Sequence, residues 1–132
     1  MTDGKVAAEK NRRDLRDRTK QFALRVIRVF SALPKSVETH VLGKQVLRSG
    51  TSVGAHYREA YRSRSQAEYI SKMEVGLQEL EETSYWLELL ADSGIVKAPR
   101  LANLRDEATE LTAIFASCSK SAKNRGKESR PR

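Results

Sequence analysis

The chain has 132 residues, 32% of them charged, with a formal net charge of +8 and a single cysteine. That length supports one domain with a real core and is too short for two comfortable ones. Lone Cys118 excludes an intramolecular disulfide framework, and no run approaches the ~18 consecutive apolar residues of a membrane span.

Residues 1–11 are polar and without periodicity, so a flexible, charged N-terminal segment is expected there. The stretch "MTDGKVAAEKNRRDLRDR" lacks the apolar core of a secretory signal, which points to a cytoplasmic protein with no membrane association. Leu15, Phe22, Val26, Val29 and Leu33 then recur at helical spacing, broken only by Thr19, and Pro34 ends this first helix. Ser36 is placed to N-cap a second helix with a seam of Leu42, Val46, Ser49, Val53, His56 and Ala60. In "SQAE", Ser65 and Glu68 form a capping box that opens a third helix along Ile70, Met73, Leu77, Leu80, Ser84, Leu87 and Ala91. Gly94 suits the left-handed residue that follows it. Pro99 suits the first turn of a fourth helix, whose seam is Leu101, Leu104, Ala108, Leu111, Phe115 and Cys118. No segment alternates with period two. Short connections make sequential helices antiparallel neighbours, so the expected fold is all-α, an antiparallel up-down four-helix bundle over residues 12–120. Residues 121–132, "SAKNRGKESRPR", read by composition as a disordered basic tail.

Charge is unevenly distributed. The two termini account for the whole excess, residues 1–20 carrying +3 and residues 120–132 carrying +5. Between them, residues 21–72 carry +6 and residues 73–119 carry −6. Such a split suits either self-association through complementary faces or a positive patch for a polyanion.

The stretch "RSGTSVGAHYREAYRSRS" has two glycines four residues apart, but no GxxxxGK[ST] or GxGxxG pattern, so it is no phosphate loop. At about 100° per residue, Lys44, Arg48, Arg58 and Arg62 fall together, opposite Leu42, Val46, Val53 and Ala60. One continuous helix explains both stripes. Gly50, Gly54, Tyr57 and Tyr61 share another face: a notch beside an aromatic ridge. Each glycine costs ~1 kcal/mol inside a helix, which close approach of a neighbouring helix or of another subunit would offset.

The segment "LPK", the run "LRSGTSVGAHYREAYRSRSQAEYISKMEVGLQELEETSYWLELL" and the short fourth helix resemble the four-helix bundle protein family, also called the 23S rRNA intervening-sequence protein family. The resemblance covers roughly residues 13–118 and is most specific over Arg48–Leu90. It implies four-helix protomers assembling into homopentamers, most without an established biochemical activity. A related branch, the accessory variability determinant of diversity-generating retroelements, is a basic pentamer that binds nucleic acid and a reverse transcriptase. Where the family commonly has asparagine in the second helix, this chain has His56.

No catalytic, metal or cofactor site emerges. His40 and His56 stand sixteen residues apart without clustered carboxylates or thiols, and no serine lies in a nucleophile motif. Glu79, Glu81 and Glu82 lack the Glu-x-x-His partner of a carboxylate bundle site and read as solvated surface. Tyr85 and Trp86 offer either a base-stacking platform or, the reading their apolar neighbours favour, core and inter-helix packing. Glu59 is expected to pair with Arg62 one turn on. The expected function is therefore a non-enzymatic, homo-oligomeric scaffold that binds RNA or DNA through Lys44, Arg48, Arg58, Arg62 and Arg64, with little sequence preference. Its subunit contact is expected at Gly50, Gly54, Tyr57, Tyr61 and Glu59. The alternative is an oligomer for structure or protein interaction alone, with no nucleic-acid role.

Overall fold

The computed structural model describes the backbone of residues 2–128 and the side chains of residues 14–127. Four helices follow in order: α1 (Thr2–Ala32), α2 (Val37–Tyr61), α3 (Gln66–Asp92) and α4 (Ala98–Glu128). There is no strand among the described residues.

The helix ends form where local chemistry places them. The Ser36 hydroxyl accepts from the Thr39 backbone N–H, and Ser65 accepts from that of Glu68. Each cap satisfies a donor that the first helical turn cannot pair internally. Gly94 adopts φ 79°, the one left-handed residue in the described backbone, and Pro99 lies in the first turn of α4.

The apolar stripes meet in one core. Phe22, Val26, Val46, Val53, Met73, Leu80, Leu87, Leu111 and Phe115 are completely or almost completely buried there. On α3 the buried set is Met73, Gly76, Leu80, Thr83, Leu87 and Leu90. Thr83 and Leu90 therefore take the places expected for Ser84 and Ala91. The rotation seats the Thr83 hydroxyl on Ser49 Oγ at 2.8 Å, and Ser49 donates onward to the Gln45 carbonyl at 2.9 Å. A buried hydroxyl pair is tolerated because both partners are satisfied.

Glycines set how closely the helices approach. A Cβ on Gly43 would lie 2.7 Å from Leu33 Cδ1, and one on Gly50 would lie 2.7 and 2.9 Å from the two methyls of Val26. At Gly54 it would lie 3.1 Å from Thr19 Oγ1. As α2 advances, its partners on α1 recede from Leu33 to Val26 to Thr19, so the two helices run in opposite senses. Gly76 does the same for α3 and α4, where a Cβ would lie 2.6 Å from the Phe115 ring.

Two expectations about the ends are corrected. Helix α1 begins at Thr2, so it takes in residues 2–11, and α4 continues through residues 121–128. Ala122 is fully buried, its carbonyl accepts from the Gln66 amide, and Lys123 reaches Glu74 at 2.7 Å. Ser119 and Ala122 extend the stripe of Leu111 and Phe115 with side chains too small to stand out among the lysines and arginines. The expected tail at residues 129–132 lies outside the described residues.

The glycine register yields a stability prediction. Gly50→Ala improves helix propensity by ~0.8–1 kcal/mol, but Val26 is β-branched, buried and unable to turn away. Overpacking of ~1–3 kcal/mol should win. The variant should unfold at lower denaturant concentration with an unchanged m-value; a raised midpoint would contradict the packing.

Candidate nucleic-acid interface

The basic residues singled out in the sequence do not form one free surface. Arg48 leaves α2 toward α3 and pairs with Glu79 at 3.4 Å and with Glu82. Glu82 also accepts from Trp86 Nε1 at 3.1 Å. This guanidinium is thus held by two carboxylates of its own chain, and a phosphate would have to displace them. Lys44, Arg62 and Arg64 are exposed, and Arg58 is half-buried. Arg62 caps the end of α2, and Arg64 stands in the connection to α3. Three of the five expected contacts, Arg58, Arg62 and Arg64, therefore gather at the α2–α3 turn.

The Gly50/Gly54 face, open in the sequence to a neighbouring helix or to another subunit, packs against a helix of its own chain, and the subunit contact expected there is corrected. Gly50 and Gly54 are buried against α1 of the same chain, and Tyr57 is buried with its ring 6.2 Å from that of Phe115. The notch is filled by Val26 and Thr19, so it is not available to another copy. Tyr61, one turn beyond, is 49% exposed. Glu59 pairs with Lys72 on α3 at 2.7 Å, and His56 Nδ1 lies 3.9 Å from its other oxygen. Lys72 therefore takes the place expected for Arg62. Side-chain hydrogen bonding and charge from Lys72 hold the Glu59 carboxyl below its ordinary range, and the same bond raises Lys72. His56 Nδ1 is buried without a hydrogen-bond partner.

Two features lie beyond what the sequence reading anticipated. Arg18 forms a fork with Glu107, Nη2 to Oε1 at 2.6 Å and Nε to Oε2 at 3.1 Å, tying α1 to α4. Its hydrogen bond to Glu107 raises the Arg18 pKa further. No local pattern reports a pair so distant along the chain. The second is an exposed apolar patch at the α1–α2 connection, where Val37 is 81% and Val41 55% exposed. With Phe30, Leu33 and Pro34 they line a groove of about 710 Å³. The signal was present as valines outside the seam of α2.

On α3, Tyr85 is corrected from core to surface. It is 52% exposed and leans on half-buried Trp86, the ring centroids 5.1 Å apart. Cys118 is half-buried, and burial raises its thiol pKa. Among the described residues no group of His, Cys, Asp and Glu could hold a metal ion, and no helix is long and apolar enough to cross a membrane.

Residues 13–117 match the profile of a family described as 23S rRNA-intervening sequence protein. The fold is similar to the crystal structure of a protein of unknown function from the S23 ribosomal protein family of Bacteroides thetaiotaomicron. That likeness has a TM-score of 0.77 at 34% identity, over 83% of this chain and 97% of the other. Among curated proteins none matches.

The Glu59–Lys72 pair makes a prediction about pH. A carboxyl whose folded pKa is depressed stabilises the fold above its unfolded pKa of ~4.3, and the gain disappears as pH falls through the lower folded value. The melting temperature of the wild type should exceed that of Glu59→Gln at neutral pH. The gap should close in the acid range, on the low side of ordinary carboxyl titration. A gap independent of pH would show that the pair contributes through packing alone.

Proposed function

The chain belongs to the 23S rRNA-intervening sequence protein family, and from that premise we propose that it is a non-enzymatic protomer of a homo-oligomer that binds RNA or DNA. The protomer is an up-down antiparallel bundle, and the assembly is a ring of five. The observation that carries this reading is the separation of exposed charge. Lys44, Arg62 and Arg64 stand exposed around α2, with Glu38 as an exposed acid there, and Lys120, Lys123, Arg125 and Lys127 stand exposed on the last turns of α4. Glu81, Glu88 and Asp92 stand exposed on α3, and Asp106 and Glu110 on the first half of α4, beyond Lys97 and Arg100 at its start.

Five copies close only through a heterologous contact, in which one face meets a different face of the next copy. Opposite charge on the two halves of the chain suits that geometry. With the glycine notch filled internally, the subunit contact is assigned to the Val37–Val41 patch. Exposed valines there gain from burial, and flanking charge sets orientation. Repeated around a ring, a modest basic patch becomes an avid one. Arginines and lysines contact the phosphate backbone, so sequence preference is slight. The second reading, an oligomer without nucleic acid, is favoured by Arg48, which is already occupied by Glu79 and Glu82.

Light scattering after size exclusion at micromolar concentration should give about five protomer masses, and Val41→Glu should reduce that mass while helical content stays. A monomer at every concentration would overturn the assembly. For nucleic acid, affinity should fall by ~0.7–0.9 log units per neutralised phosphate for each tenfold rise in salt. Replacing Arg58, Arg62 and Arg64 with glutamine should flatten that slope; Arg48→Gln should change it least. No binding by the full chain at about 50 mM salt, where phosphate contacts are strong, would leave the scaffold reading alone.

A further inference from the structure

At the end of the bundle where α2 gives way to α3, Leu15 of α1 and the last turns of α4 enclose a groove of about 710 Å³. That volume lies within the ~300–1,000 Å³ common for small-molecule sites. Three tyrosines converge on it: Tyr57 and Tyr61 from α2 and Tyr69 from α3. Tyr57 is buried against Phe115, Tyr69 is half-buried, and Tyr61 is half in solvent. Ser63, Ser117, Ser121 and Arg125 also line it. Among the described residues no carboxylate lines it, and Arg62 and Arg64 flank Ser63 in the chain. Burial raises the Cys118 thiol, which also faces the groove, so it adds no negative charge near neutral pH.

We infer that this groove takes an unpaired base of a single-stranded nucleic acid, with its phosphate held by Arg125 and the arginines of the α2–α3 turn. The inference rests on the nucleic-acid reading above and assigns it a place and a strand preference. Rings offer a face to any base, hydroxyls meet base edges, and arginine meets phosphate; together these are the parts of a single-strand site. A duplex keeps its bases stacked inside and presents only phosphates. Contact with phosphates alone favours the duplex, whose charge density is higher. A preference for the single strand therefore reports on bases entering a site.

The test uses fluorescence anisotropy on the full chain at one salt concentration, with three probes of equal length: a thymidine oligonucleotide, its abasic counterpart and a mixed-sequence duplex. The thymidine strand should bind most tightly, and loss of its bases should weaken binding by roughly five- to 150-fold, the range of one stacked base or more. Tyr61→Ala should lower affinity for the thymidine strand by at least about five-fold and leave the duplex unchanged. Tyr61→Phe, which keeps the ring, should restore it. Equal affinity for thymidine and abasic strands, with Tyr61→Ala silent, overturns the groove while duplex binding upholds the broader reading. Failure of all three probes to bind overturns both. The abasic comparison needs no variant, so equal affinity for the two strands overturns base entry even where a substitution unfolds the chain.

Discussion

The close approach of α2 to α1 is the constraint on which the other contacts depend. Gly43, Gly50 and Gly54 remove side chains where Leu33, Val26 and Thr19 stand, and any Cβ at the first two would overlap its neighbour. Each glycine weakens α2 as an isolated helix. The weakness is offset by packing that a larger residue would forbid. Because the glycines occur at helical spacing, they also lock the register between the two helices. Val46 and Val53 are thereby brought into the same core as Phe22 and Val26, and Ser49 is turned toward Thr83 on α3. Gly76 repeats the device one layer on, with Phe115 filling the space.

This arrangement determines which surfaces remain for other molecules. The notch is consumed inside the chain, and the most exposed large apolar side chains, Val37 and Val41, stand together at one end. At the other end, Tyr61 and Tyr69 flank a groove beside Arg125. Charge follows the same logic. Arg48 to Glu79 and Glu82, Lys72 to Glu59 and Lys123 to Glu74 join neighbouring helices. Such partly exposed pairs contribute little stability individually, and their main effect is to decide which cations stay available. The basic and acidic halves of the sequence thus neutralise each other partly within the protomer. The remaining exposed cations lie on α1 and α2, at the connections that flank α2 and on the last turns of α4, and exposed acids lie along α3 and the first half of α4.

Much of this fold was legible in the sequence because its signals are local. Ser36, Ser65, Gly94 and Pro99 mark helix ends through bonds and dihedrals within a few residues, and each occupies its expected position. Seams of Leu, Val and Phe followed from helical periodicity. Most of the misreadings share a cause: a choice between partners far apart in the chain. Gly50 and Gly54 advertise a close contact but carry no indication of whether Val26 or another subunit supplies it. Arg18 and Glu107 look like two solvated charges until α1 and α4 are side by side. Glu59 has Arg62 within one turn, yet Lys72 across the interface has the better geometry. At the C-terminus, lysine and arginine dominate composition while small Ala122 supplies the packing. Tyr85 sits beside Trp86 in an apolar run, but one residue is a turn of about 100° on a helix, enough to move it from core to solvent.

Whether the glycine seam lies within one chain is the point from which the assignment of every outer surface follows. An isotope-filtered NOE experiment on a sample refolded from equal parts of carbon-13-labelled and unlabelled chains measures it directly. Cross-peaks from Gly50 Hα to the Val26 methyls should be strong in the uniformly labelled sample and absent from the filtered spectrum, which retains only contacts between copies. Their appearance in the filtered spectrum would place Val26 of one copy against Gly50 of another and contradict the account.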